Sequence, residues 1–252
     1  MRLQSLTPAV AGLALLAPVP PPAAAIRALE APRGPVVWQE GAARQDGSVS
    51  ASALPARVSA CAPVSRGHYR TDAGAPATVP VCGTDGAVFW TADMDIDCDG
   101  RPGPRCNGGT DPLFSPATAF QQSDGRHLSA ESLPFIVVPG VSALWNHRDH
   151  GVRGGSVAAV VHDDRVLYAV VGDAGPPEVI GEASYAAAEA LGVDPDPRVG
   201  GVASGVTYIV FEDSRATPIE SPAAAAEAGE RLARTFVART AAGTRRGAGG
   251  GG

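Results

Sequence analysis

The sequence predicts a mainly β domain with a few helices packed on its strands, and three observations carry that prediction. Short runs rich in β-branched and aromatic residues recur at Val88–Thr91, Phe135–Val138, Val157–Val161, Arg165–Val171 and Gly205–Phe211. Clusters of Gly, Pro and Asp separate them. Helical patterns are confined to 182–191 and to the run after Ser221.

The N-terminus reads as a targeting segment. Arg2 supplies a positive start, Ala9–Ala17 a short apolar run and Ala23-Ala24-Ala25 a small-residue cleavage site, so 1–25 is expected to be a secretory signal peptide. The apolar run is shorter than the ~18 residues a membrane helix needs, and no later run reaches that length, so no membrane partner is expected. Residues 26–59 are rich in Pro, Ala, Gly and Ser and predict a flexible leader. The main domain is expected over 60–242, and 243–252 reads as a disordered tail. Cys61, Cys82, Cys98 and Cys106 form an even set that, in a secreted chain, favours two disulfides over a metal site. Four cysteines allow three pairings; Cys61–Cys82 and Cys98–Cys106 are preferred because both close short loops.

Each strand and helix has its own local reason. Val157–Val161 and Arg165–Val171 flank His162-Asp163-Asp164 and predict a β-hairpin. Ser221 suits an N-cap and Pro222 the first helical position, with Ala225, Ala228, Leu232 and Phe236 along one face, which predicts a helix to about Ala241. Gly181-Glu182-Ala183 is expected to open a helix that Gly192 ends.

Lys is absent, and 20 Arg stand against 26 Asp plus Glu for a formal charge of −6. That balance argues against a nucleic acid partner and suits a cationic one, although mild acidity also serves solubility alone.

The chemistry-bearing stretch is RVLYAVVGDAGPPEVIGEASYAAAEAL, 165–191. Asp173 follows a strand directly, and Gly172, Gly175, Pro176 and Pro177 force the chain to turn there. Glu182 follows at the next junction. Two positioned carboxylates are what glycosidic hydrolysis requires. Taken singly, Asp173 is as well explained as a turn residue and Glu182 as a complement to a helix dipole.

A second acidic feature is DMDIDCDG at 93–100. As a calcium loop it fails at its twelfth position, where Cys106 stands in place of the bidentate Glu. As a strand it places Asp93, Asp95, Asp97 and Asp99 on one face, a row that is either solvated or awaits a polycation. Trp90 and Trp145 are suited to sugar stacking or to the core. His147, Arg148, Asp149 and His150 read as a polar, solvated loop without a metal. No G-x-S-x-G, phosphate loop or dinucleotide fingerprint is present, and no cofactor is expected.

Several segments in consistent order over roughly 80–240 resemble the glycoside hydrolase family 75 chitosanases. They are DMDIDCDG, TDP at 110–112, LPFIVVP at 133–139, GSVAAVV at 155–161, YAVVGDAGPPEVIGEASYAAAEALGVDPDP at 168–197, GVASGVTYIVF at 201–211 and PIES at 218–221. The resemblance implies inverting endo-hydrolysis of chitosan, a β-1,4-linked glucosamine polymer; nothing in the sequence suggests more than a monomer. The family's essential acids fall on Asp173 and Glu182. Ala174 departs from the pattern, since relatives often carry Thr there. The GDxG motif is similar to that of double-psi barrels, which implies a six-stranded double-psi-like β-barrel core.

For this chemistry the two carboxyl groups are expected roughly 6.5–9.5 Å apart. Glu182 at a helix start would be ionised and serve as base, with a desolvated Asp173 as acid. The lower intrinsic pKa of Asp argues for the reverse roles, and both assignments stand. Asp93, Asp95, Asp97, Asp99, Trp90 and Tyr185 are the candidate substrate-binding residues. A lytic enzyme acting on peptidoglycan and a non-catalytic polysaccharide-binding module are the rival readings.

Overall fold

The computed structural model describes residues 48–247, with side chains through 239. The expected signal at 1–25, the leader as far as 47 and the last five residues of the tail lie outside the described residues.

The chain first forms helix α1, Ala53–Arg57, then strands β1, Ala62–Pro63, β2, Cys82–Thr84, β3, Ala87–Asp97, and β4, Phe135–Pro139. Strands β5, Val157–His162, and β6, Arg165–Gly175, follow, then β7, Glu182–Ser184, helix α2, Tyr185–Leu191, β8, Val202–Phe211, and helix α3, Pro222–Gly247. The strands lie in the order β1-β2-β3-β7-β4-β6-β5-β8, and a further pairing of β3 with β8 closes six of them into a barrel. Most pairings are antiparallel, but β3–β7 and β4–β6 are parallel. The mainly β, six-stranded barrel read from the sequence is therefore the fold.

The barrel strands bury alternate residues in two apolar clusters. One joins Phe89, Phe135, Val170 and Ile209 to α1 and α3; the other joins Trp90, Ile136, Val171 and Tyr208 to α2. With both faces covered, β4 and β5 read as continuous apolar runs rather than alternating ones. The expected hairpin is β5–β6, paired from Val157↔Val170 to His162↔Arg165. Its two-residue turn puts Asp163 at φ +52, a left-handed conformation that Asp tolerates. Both preferred disulfides form, Cys61–Cys82 and Cys98–Cys106. The Ser221 hydroxyl caps α3 by accepting from Ala224 N at 3.1 Å.

Several expectations are corrected. Residues 53–57 of the supposed leader are helical, because Leu54 is fully buried and Arg57 lies 4.9 Å over the Phe236 ring while donating to the Phe236 carbonyl. Helix α3 extends beyond Ala241 to Gly247, into the supposed tail. Helix α2 begins at Tyr185 and not at Glu182. The N-cap is Ser184, whose hydroxyl accepts from Ala187 N, while 182–184 is committed to a parallel ladder with β3. The 147–150 stretch is a 3-10 turn with Arg148 and Asp149 exposed as expected, but His147 is buried with Nδ1 2.9 Å from the Val152 carbonyl, and burial lowers its pKa.

Candidate active site

Four strand ends and two loops build one acidic cleft of about 740 Å³. Strand β3 brings Asp95 and Asp97, with Asp99 just beyond it; β6 brings Asp173 and β7 brings Glu182. The loops add Asp111 and Asp196, and Arg198 is the sole basic residue of the lining.

Strand β4 sits between the two predicted catalytic acids. It pairs in parallel with β6, where Val137 is opposite Asp173, and antiparallel with β7, where Ile136 is opposite Ala183. Asp173 and Glu182 thus flank Val137 on the two neighbouring strands, with backbones about two strand spacings, ~9.5 Å, apart. Asp95 is the direct partner of Glu182 across the parallel β3–β7 ladder.

The two carboxyl groups have different surroundings. Asp173 is buried, and its Oδ1 accepts from Ala119 N and Ala174 N, both at 2.7 Å. Burial raises its pKa, while the two N–H donors and the His127 side chain pull it back down. Among the described residues Glu182 has no comparable backbone donors; burial first, then the charges of Asp95, Asp173 and Asp99, push it up to about 7. The premise that a helix N-terminus keeps Glu182 ionised is therefore corrected, since Glu182 lies on a strand.

Of the predicted acid row, Asp95, Asp97 and Asp99 line the cleft and Asp93 does not. The register shift between Ala92 and Met94 lies on β8, where residues 203–205 oppose Asp93 alone, so β3 keeps its period of two with Ala92 and Met94 in the core; Asp93 shares the face of Asp95 but is covered where it packs against Gly181. Asp93 is only 4% exposed, and its Oδ1 finds no hydrogen-bond partner among the described residues. Burial, then the Asp95 charge, raises it to about 7. It packs against Gly181, which adopts φ +117; a side chain there would occupy the position of Asp93 Oδ1.

Trp90 is corrected as a substrate platform. It is 1% exposed, stacks on Tyr208 at a centroid distance of 5.4 Å and meets Trp145 edge-on, so its face is consumed by the core. Tyr185 lies outside the main cleft, in an adjoining depression with Arg105, whose guanidinium is 5.2 Å from its ring.

The structure adds residues that sequence reasoning left without a role. Asp111 stands in the TDP segment and Asp196 in the DPDP segment, but nothing local in either motif shows that two distant loops meet. Arg198 joins them by donating from Nε to the Thr110 carbonyl and from a terminal nitrogen to the Gly109 carbonyl, both at 2.7 Å. Leu113 is 88% exposed on one of these loops and Val199 81% exposed on the other. At the floor, one oxygen from each of Asp97, Asp99 and Asp173 lies within 4.8 Å of the others. No other feature of the cleft points to an ion, and none is assigned to it.

With this geometry the chain resembles known proteins. It is similar to endo-chitosanase C of Aspergillus oryzae, 34% identical over 138 residues that make up 53% of this chain and 34% of that protein. It is also similar to an endo-chitosanase of Aspergillus oryzae strain ATCC 42149 / RIB 40, 32% identical over 143 residues, 52% of this chain and 58% of the relative. An endo-chitosanase of Aspergillus fumigatus is 29% identical over 138 residues, 50% of this chain and 58% of the relative. The matched part of the chain thus spans between 34% and 58% of the length of these relatives. The pattern of the family described as fungal chitosanase of glycosyl hydrolase group 75 fits residues 94–242, which hold every strand end of the cleft, and the chain belongs to that family.

Proposed function

We propose that the protein is a secreted endo-chitosanase that cleaves β-1,4 bonds between glucosamine units with inversion at the anomeric carbon. The observation that carries this reading is the pair Asp173 and Glu182, held across β4 in one cleft but in unlike surroundings. Glu182, pushed up to about 7, keeps its proton in mild acid and acts as general acid to the leaving oxygen. Asp173, anchored by two backbone N–H groups, acts as general base on water. The gap of about two strands suits the roughly 6.5–9.5 Å that an inverting pair requires, since a water must fit between base and sugar.

Substrate choice follows from charge. Asp95, Asp97, Asp99, Asp111 and Asp196 surround the pair, against one lining guanidinium, which directs two of its N–H groups at backbone carbonyls. A polymer with an ammonium on most sugars complements such a cleft, and added salt should raise the apparent KM. A single chain supplies every residue in this reading. Two disulfides accord with an extracellular site of action, and no helix among the described residues is long and apolar enough to cross a membrane.

The deciding assay is reducing-end release from soluble chitosan, with Asp173→Asn and Glu182→Gln in parallel. Wild type should cleave and each variant should fall by about 10²–10⁴-fold while remaining folded. NMR of the first product should show the inverted anomer. Cleavage of peptidoglycan in place of chitosan, or binding of chitosan without cleavage, would refute the reading.

A further inference from the structure

Asp97 is one of the cleft carboxyl groups, with Asp95, Asp99, Asp111 and Asp196, that neither proton-transfer role uses. One of its oxygens lies within 4.8 Å of an oxygen of Asp173 and of an oxygen of Asp99. A water hydrogen-bonded to two oxygens at about 2.7 Å each can span up to ~5.4 Å, so one water can touch all three groups. Each group is tied to backbone. Asp97 Oδ1 accepts from Asp99 N at 2.6 Å, Asp99 Oδ1 from Ser115 N at 2.6 Å, and Asp173 Oδ1 from Ala119 N and Ala174 N. The backbone of Asp97 is equally rigid. Its ladder partner is Ser184, whose hydroxyl accepts from Phe135 N and donates to the Leu133 carbonyl.

We infer that Asp97 is a positioning residue that holds the attacking water against Asp173, an inference that rests on the hydrolytic reading above. Asp97 enters as the neutral acid. Burial raises its pKa well above the ordinary 3.8, and the neighbouring charges of Asp173 and Asp99 raise it further, against the opposing hydrogen bond from Asp99 N. The water then donates one hydrogen to Asp173 and one to Asp99, and accepts the Asp97 hydroxyl hydrogen. One lone pair remains, and it faces the anomeric carbon. In the reaction the water oxygen bonds to that carbon and the glycosidic C–O bond breaks. The water proton goes to Asp173 and the Glu182 proton to the leaving oxygen. Asp97 ends as it began, protonated.

The test compares Asp97→Ala and Asp97→Asn with wild type on soluble chitosan across pH. Asp97→Ala removes the donor, and its kcat should fall about 10²-fold with KM changed less than about twofold, the signature of an interaction made in the transition state. Asp97→Asn keeps an N–H donor in the same shape and should retain at least about tenfold more kcat than Asp97→Ala. Its alkaline limb should be shallower than that of wild type, because an amide does not lose its hydrogen where Asp97 does. Thermal melts check folding; if Asp97→Ala does not fold, an alkaline limb of Asp97→Asn superimposable on wild type overturns the inference. So does kcat of Asp97→Ala within about threefold of wild type, a loss confined to KM, or an Asn variant no better than Ala. If Asp173→Asn and Glu182→Gln are inactive while Asp97→Ala is active, this inference alone falls. A wild type that releases no reducing ends from chitosan takes both readings down.

Discussion

Gly175 stands so close to Glu182 that a β-carbon added there would lie 2.7 Å from Glu182 Oε2 and 3.1 Å from Val137 Cγ1. The absence of a side chain at the end of β6 is thus what leaves room for the proposed acid. Gly175→Ala should move the carboxyl group rather than unfold the barrel, because the contacted atom is the free end of a flexible side chain. The expected result is a kcat loss of about 10-fold to 10²-fold with little change in Tm. Steady-state kinetics and a thermal melt on the same sample check it.

Asp95 sets part of the proton affinity of Glu182 across the parallel ladder. Its negative charge disfavours a second one, so removing it lowers the Glu182 pKa below about 7. Since the acid must be protonated to act, Asp95→Asn should shift the alkaline limb of kcat to lower pH. An unmoved limb would show that Glu182 is not the group titrating there.

Stability should fall as the medium becomes less acidic. Asp93 is raised to about 7 in the folded protein from an ordinary value of 3.8, so between those values the native state binds more protons than the unfolded one. The slope of unfolding free energy with pH is then negative, and this group's favourable term is whole below about 4 and lost as pH passes 7. Melts at pH 5 and pH 8 should show the higher Tm at pH 5. Asp93→Asn, which cannot ionise, should reduce that difference.

Trp90 belongs to the core and should behave so. Trp90→Ala opens a cavity among Trp145 and Tyr208 and should cost about 3–5 kcal/mol of stability. Trp90→Phe, which keeps most of the packing, should leave KM for chitosan within about twofold of wild type. A selective KM increase in Trp90→Phe would return Trp90 to the substrate.

Arg198 closes one wall of the cleft through two backbone carbonyls 88 and 89 positions away. Arg198→Ala releases the loop that carries Asp111 from the one that carries Asp196, and KM should rise more than kcat falls. Hydrogen exchange of the 107–115 amides should speed up in the same variant.

What could be read from the sequence depended on range. The hairpin around Asp163, the Ser221–Pro222 start of α3, the apolar runs of β4 and β8 and the two short disulfide loops are each specified by residues within a few positions, where turn chemistry, capping and burial pattern act directly. The acids Asp173 and Glu182 were visible for the same reason, as carboxylates beside turn-forcing Gly and Pro. Local signals also misled: Gly181-Glu182-Ala183 has the composition of a helix start, and the alternating Asp residues from 93 gave no sign that a remote glycine covers the first of them.

Tertiary structure decided the rest, because it rests on hydrogen-bond registers between segments far apart in the chain. The pairing of β3 with β7 turned Glu182 from a helix-start residue into the ladder partner of Asp95. The approach of Gly181 covered Asp93 and left Asp95, Asp97 and Asp99 in the cleft. Closing the barrel covered both faces of β3 from 87 to 90 and consumed Trp90, and only the meeting of the 107–115 and 194–201 loops gave Asp111, Asp196 and Arg198 a place at the site. The sequence by itself determined which groups could do the chemistry. The barrel determined which of them share a cleft, since proximity of remote strands is a property of long-range pairing and packing and not of local pattern.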